Sequence, residues 1–385
     1  MSNAVDAQVS RAHPHALVVG GFRNETLRRI QEGAAAASVA VETVDLCEDL
    51  PAALGGAAPF AIVLRVDAAG AADACIQVRS SPRFADVPIF GVAPERNDLA
   101  LTELFGWGGD DLVGVGSPHP IARRLRALKT RAAPVTARSS GPTDQAIVAG
   151  SDSAWRSAIG RALYNGGFAV RFASTALGLV EESLGESVRV VVASEDLAPD
   201  GAVRALTESR VRGGKTAWVL VVAPKRMADA IDSVDAFDRV SVVDSFAPPE
   251  NTLFTINELL APRGVDNRSS PRLLYGTSVA FRIAGRAEDD IGFSYNVSAD
   301  GVFVRTLDPL EPSQEVWLEM WPPRCERRVR LEGTVAWRRA FGPNGGATVP
   351  AGFGLRITGG LPGDVERWRS GCKLFEDSLH HRHLD

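Results

Sequence analysis

The chain has 385 residues, of which 45% are hydrophobic and 23% charged, with a formal net charge of −5. That length suits two or three domains rather than one. The apolar share is that of a globular protein, and the acidic balance argues against non-specific binding to DNA or RNA. No apolar run approaches the ~18 residues of a transmembrane segment, and the polar start from Met1 to Gln8 lacks the basic and apolar regions of a secretory signal. Cys47, Cys75, Cys325 and Cys372 are scattered without zinc-like or C-x-x-C spacing. These features predict a cytoplasmic protein with reduced thiols and with neither metal nor cofactor.

Residues 1–13 read as a disordered tail. From 14 to 129, apolar strands at His15 to Val19, Val39 to Val44, Phe60 to Leu64 and Gly109 to Val113 alternate with helices around Leu27 to Ile30 and through Leu125 and Leu128. Between them, the stretch Arg79 to Phe90 runs into a fourth strand. A Pro/Ser/Ala-rich linker spans 130–144. From 145 to 262 the alternation repeats, with strands at Ala146 to Ala149, Phe168 to Phe172, Val188 to Ala193, Trp218 to Val222 and Val240 to Val243. The first helix of this stretch is capped near Asp152, carries Trp155, Ile159 and Leu163 on one face, and ends at Gly166 and Gly167. Strands that alternate with helices predict two α/β domains with doubly wound parallel sheets.

From 263 to 379 the pattern changes to short alternating strands: Thr277 to Ile283, Ile291 to Val297, Val302 to Thr306, Glu315 to Met320, Arg327 to Trp337 and Gly352 to Ile357. A small antiparallel β-barrel is the natural closure. The basic run Arg324 to Arg330 reads as the solvent face of a strand, and Trp317, Trp321 and Trp337 as barrel core or rim. Val365, Trp368, Cys372, Phe375 and Leu379 then recur at helical spacing, a stripe suited to closing the barrel or to a homo-oligomer seam. Residues 380–385 form a second tail, its His380, His381 and His383 belonging to a frayed end.

The chemistry concentrates at the start of the barrel. Arg268 and Arg272, four apart on a segment held extended by Pro271, offer two guanidinium forks for phosphate or for stacking on a purine. Beginning 24 residues after Arg272, a strand-to-strand turn presents the amide of Asn296, the hydroxyl of Ser298 and, at Gly301, a residue that permits positive φ or close backbone approach. From Arg263 onward there are 17 Lys and Arg against 16 Asp and Glu, so the positive potential needed for an anion must be local. No histidine stands beside a nucleophile in a recognisable pattern, no paired-carboxylate motif stands out, and the glycine-rich stretches at Gly106 and Gly352 lack the Lys-Ser/Thr of a phosphate loop. The chain is not expected to be an enzyme.

With the strand pattern, these motifs resemble the PilZ family from Arg268 to Leu379. The resemblance implies a site for cyclic di-GMP in which Arg268 and Arg272 hold guanine and phosphate while Asn296, Ser298 and Gly301 complete the pocket. The chain departs from that family at Asn267, where many members carry a further arginine. Both α/β stretches resemble response-regulator receiver domains, stripped of their phosphorylation chemistry. The acidic-pair position reads Gly20 and Gly21 in the first and Gly150 and Ser151 in the second. The acceptor position reads Arg65 and Ser194, and the switch position of the first is Ala93. Leu112 to Gly116 offers no lysine. Asp152, Glu195 and Asp196 read as solvated loop carboxylates rather than a metal site.

The resemblances imply a bacterial cyclic di-GMP receptor or adaptor whose pseudo-receivers dock signalling or motility proteins. The connector from Ala261 to Pro271 would be flexible when free. Ligand capture would order it and reorient the barrel against the second pseudo-receiver. The alternative is a scaffold that keeps the barrel's shape and binds no nucleotide.

Overall fold

The computed structural model describes residues 14–81, 83–93, 98–114, 118–132, 144–197, 201–261, 270–341 and 349–381. The first predicted tail, residues 382–385 of the second, most of the linker, and residues 262–269 of the connector, Arg268 among them, lie outside these residues; His380 and His381, expected in a frayed tail, instead end the last helix of the chain.

The first unit comprises β1 (His15–Val19), α1 (Asn24–Ala36), β2 (Ala40–Val44), α2 (Leu50–Ala53), β3 (Ala61–Arg65), α3 (Ala71–Ser80), β4 (Ile89–Ala93), α4 (Asp98–Gly106), β5 (Asp111–Gly114) and α5 (His119–Ala132). Its strands are all parallel, in the order β2-β1-β3-β4-β5. The apolar runs explain the layering. Leu17, Val19, Ile62 and Leu64 enter the core on one face, and Ala16, Val18, Ala61 and Val63 enter that on the other. A strand buried on both faces needs such a continuous run.

The second unit repeats the plan with β6 (Gln145–Ala149), α6 (Ser153–Asn165), β7 (Ala169–Ala173), α7 (Ala176–Ser183), β8 (Val188–Ser194), α8 (Gly201–Val211), β9 (Ala217–Val222), α9 (Met227–Val234), β10 (Val240–Asp244) and α10 (Pro249–Leu260). Its parallel order, β10-β9-β8-β6-β7, is the same topology. Asp152 caps α6, accepting hydrogen bonds from the backbone N–H groups of Ala154 at 2.8 Å and Trp155 at 3.1 Å.

The third unit comprises β11 (Leu273–Leu274), β12 (Ser278–Ile283), β13 (Asp290–Ser298), β14 (Gly301–Arg305), β15 (Glu315–Met320), β16 (Val329–Arg339), β17 (Gly352–Gly360) and α11 (Asp364–His381). Strands β13, β12, β15, β16, β17 and β14 pair in that order, and β14 pairs back to β13, which closes a six-stranded antiparallel barrel. Phe281, Val297, Val304, Leu318, Leu331 and Phe353 fill it, and Trp368 and Cys372 of α11 plug it. The helical stripe is thus spent on the barrel. The basic run is not a strand at first: Arg324 to Arg328 form turns, with Arg324 at φ 54°, and β16 starts only at Val329.

The barrel's outer wall is buried against both α/β units. Phe293 joins one core of the first unit, and Leu307, Phe341 and Ala351 join the other. Tyr295, Phe303 and Val349 join a core of the second unit, with Leu274 and Trp337 packed against it. Trp337 therefore lies outside the barrel core against Phe303, and Trp317 is 39% exposed. No helix among the described residues is long and apolar enough to cross a membrane.

Candidate functional site

The turn after β13 is a two-residue hairpin: Ser298 pairs with Gly301 across Ala299 and Asp300. Gly301 is required for space. A Cβ there would lie 2.7 Å from the Leu355 carbonyl oxygen of the neighbouring strand, and its φ is not among the positive ones. On the other edge of β13, Leu273 pairs with Val297 and Leu274 with Asn296. Continuing that antiparallel register puts Arg272 beside Ser298, and Ser270 Oγ donates to the Asp300 carboxylate at 3.3 Å.

Side chains alternate across a sheet, so the faces follow from the core. Val297 and Leu273 point into the barrel. Asn296, Ser298, Leu274 and Arg272 therefore share its outer face. A bulge between Ser294 and Asn296 makes this possible, because it lets both Phe293 and Tyr295 face outward while Val297 faces in. Arg272, Asn296, Ser298 and Gly301 are thus gathered at one hairpin, whereas Arg268 lies outside the described residues. Trp368 Nε1 donates to the Ser298 carbonyl at 3.1 Å, which ties the hairpin to α11. Asn296 is only 6% exposed, between Leu274 and Phe303.

The ends of β3 and β8, where the receiver resemblance would put a phosphoacceptor, hold Arg65 and Ser194. At the end of β3, Arg65 donates to the Gly21 carbonyl at 2.9 Å and pairs with Asp67 at 2.9 Å, so a guanidinium occupies the cleft. The Arg65 hydrogen bond holds the Asp67 carboxyl below its usual range. In the second unit Asp196 accepts from Ser151 Oγ and from Ser151 N at 3.3 Å, and Glu195 accepts from the backbone of Ala223 at 3.0 Å. Burial opposes ionisation of Asp196, but the hydroxyls of Ser151 and Ser194 more than offset it and keep the carboxyl low. Among the described residues no three His, Cys, Asp or Glu side chains gather where a metal ion could sit.

Sequence reasoning missed the junction of the three units. Asp110 is fully enclosed and accepts from Arg79 Nη2 at 3.0 Å, Arg161 Nε at 2.6 Å and Nη2 at 2.7 Å, Asn165 Nδ2 at 2.8 Å and Ile89 N at 2.8 Å. Arg161 and Asn165 are one helical turn apart on α6, so both face it. Asp111 accepts from Arg124 Nε at 3.2 Å, Leu307 N at 2.8 Å and Thr306 Oγ1 at 3.3 Å. Arg124, 0% exposed, also donates to Asp290 and to the Ile291 carbonyl of the barrel. Arg339 of the barrel reaches the Asn165 carbonyl, while Arg305 pairs with Glu250 of α10 and lies 3.3 Å over the Phe105 ring of α4.

These surroundings push the two aspartates apart. Burial disfavours the Asp110 carboxylate, but the guanidiniums of Arg161 and Arg79 outweigh it and hold the carboxyl at about 2. For Asp111 burial outweighs Arg124, and its carboxyl lies above the usual range. Burial, then the like charge of Arg161, brings Arg79 down to about 10. The one sequence signal was the pair Asp110-Asp111 opening a strand with both faces covered, where unpaired carboxylates are not tolerated.

No protein-family model matches the chain, and no curated protein matches it. Solved structures similar to it include the Bacillus subtilis inhibitor of motility MotI/DgrA, at 22% identity and TM-score 0.25 over 32% of this chain and 58% of that one. The chemotaxis response regulator CheY4 of Vibrio cholerae matches at 16% identity and TM-score 0.28 over 30% of this chain and 98% of that one. A two-component response regulator/GGDEF domain protein matches at 13% identity and TM-score 0.30 over 64% of this chain and 98% of that one. The neighbours are thus chiefly receiver domains, and the chain spans little more than half of the motility inhibitor.

Proposed function

We propose that this chain is a non-enzymatic cyclic di-GMP receptor that passes nucleotide occupancy at the barrel hairpin to protein partners through its two receiver-like units. The observation that carries this reading is the common outer face of Arg272, Asn296 and Ser298, with Gly301 closing the same hairpin. A guanidinium, an amide and a hydroxyl there supply the charge-assisted and neutral hydrogen bonds a guanine nucleotide needs. Arg268, four residues before Arg272, supplies the second fork. The receiver-like architecture supports a signalling role, and Arg65 and Ser194 at the acceptor positions leave phosphorylation out of it. Partners of the signalling or motility kind fit this role.

A nucleotide-independent scaffold is the second reading, favoured by the 6% exposure of Asn296. Calorimetric titration of the full chain with cyclic di-GMP separates the two. Saturable heat that Arg272→Ala removes supports the receptor, and its absence in the wild-type chain supports the scaffold.

A further inference from the structure

Ser298 ends β13, and its carbonyl oxygen is engaged from the plugged side of the barrel: Trp368 Nε1 donates to it at 3.1 Å and Cys372 Sγ at 3.7 Å. The two donors are one helical turn apart, so a single face of α11 supplies both. Burial pushes the Cys372 thiol up to about 12, which keeps its proton in place for that bond. A peptide group is planar and trans, and its N–H points opposite to its C=O. With the Ser298 carbonyl turned toward α11, the N–H of Ala299 is directed away from the barrel interior, to the side that Asn296 and Ser298 occupy. The far end of the turn is fixed as well. Ile357 N donates to the Asp300 carbonyl at 2.9 Å, and the Leu355 carbonyl leaves no room for a side chain at Gly301. Neither Ala299 nor Asp300 has a positive φ, so the turn is of type I with Ala299 at its first central position.

We propose that the backbone N–H of Ala299 is a ligand donor, aimed by Trp368, which joins the Ser298 hydroxyl and the Arg272 guanidinium around one phosphate of the nucleotide. The donor set favours a phosphate. A hydroxyl and an N–H from consecutive residues, beside a guanidinium, converge three donors on one anion, and each bond to it is charge-assisted. The carboxylate in the turn, that of Asp300, is engaged by Ser270 Oγ at 3.3 Å. Because α11 and β17 fix both peptides of the turn in advance, binding bears little cost for ordering them. Trp368 is thus a positioning residue: it touches no ligand and acts through the peptide it holds.

This inference rests on the receptor reading, and its test keeps the two apart. Cyclic di-GMP is titrated calorimetrically into the full-length wild type, Ala299→Pro, Trp368→Phe and the double variant, and each protein is unfolded in denaturant. Proline suits the first central position of a type I turn and lacks the N–H, so Ala299→Pro should weaken binding about tenfold or more without loss of stability. Trp368→Phe frees the peptide and should weaken binding about threefold, but only while the N–H is present, so the double variant should bind like Ala299→Pro alone. A tryptophan that merely stabilised the barrel would give the same loss in both backgrounds, and that result overturns its aiming role. Wild-type affinity in Ala299→Pro overturns the donor while leaving the receptor intact. A large loss of stability in Ala299→Pro overturns the turn geometry from which the donor is argued, and wild-type affinity in Trp368→Phe overturns the positioning independently of it. No binding by the wild type overturns the receptor, and the donor with it.

Discussion

Asp110 and Asp111, neighbours in the chain, send their carboxylates into different interfaces. Asp110 turns to Arg161 and Asn165 of the second unit, and Asp111 to Thr306 and Leu307 of the barrel. Successive residues at the start of an extended segment point to opposite sides, so a single dipeptide can hold two partners at once. The edge of the first sheet is thereby committed to contacts within the chain.

Replacing Asp110 with asparagine should be costly. The change leaves Arg79 and Arg161 buried beside each other without a counter-charge, and removal of one partner from a buried ionic cluster typically costs about 3–5 kcal/mol. Denaturant unfolding of Asp110→Asn against wild type measures the loss. A change below about 1 kcal/mol would mean that the cluster is solvated in solution.

The same residue predicts the acid response. Its folded value of about 2 lies below the ordinary 3.8, so its contribution, about 2 kcal/mol, is complete above the ordinary value and is lost as pH falls through the folded one. Asp111 has the opposite sign. Its carboxyl is raised, so the folded state binds its proton more tightly, and its contribution is lost as pH rises past the raised value. Between pH 4 and 2 the contact between the α/β units should therefore weaken while the Asp111 contact does not. Scattering and denaturation followed against pH should show this slope in wild type and lose it in Asp110→Asn.

Arg272→Ala should abolish cyclic di-GMP binding with an unchanged circular dichroism spectrum. A charge-assisted contact is worth about 1.5–3 kcal/mol, and more when bidentate. Ser298→Ala should weaken binding less, since it deletes a single neutral hydroxyl. Wild-type affinity in Arg272→Ala would remove the hairpin as the site.

Neither α/β unit should take up phosphoryl groups from acetyl phosphate with Mg²⁺. In the first, the Arg65 guanidinium stands in the cleft hydrogen-bonded to the Gly21 carbonyl. In the second, Ser194 offers no carboxylate and Asp196 is held by Ser151. Base-labile, hydroxylamine-sensitive label on Asp67 or Asp196 would contradict this.

The sheets were readable because strands covered on both faces must be apolar throughout, as in Ala16 to Val19 and Val190 to Ala193. The hairpin was readable because the turn residues between two strands, from Asn296 to Gly301, lie within a few positions of one another. Strict alternation would have placed Phe293, Tyr295 and Val297 on one face. The bulge moves the first two outward, and a bulge leaves no mark in an apolar–polar pattern. Arg79 and Arg161 were hidden for a related reason. An arginine on a helix looks solvated until the carboxylate that buries it is placed, and Asp110 lies 31 residues from one and 51 from the other.

The Asp110 and Asp111 contacts also set how the chain melts. Three folds joined by flexible tethers would unfold in three separate transitions. Here the loss of any one strands buried guanidiniums or carboxylates in the other two, so each fold's collapse lowers the barrier for its neighbours. Heating should give a single cooperative transition, with the calorimetric enthalpy matching the van't Hoff value for the whole chain. In thermodynamic terms the molecule has one domain, although its architecture has three.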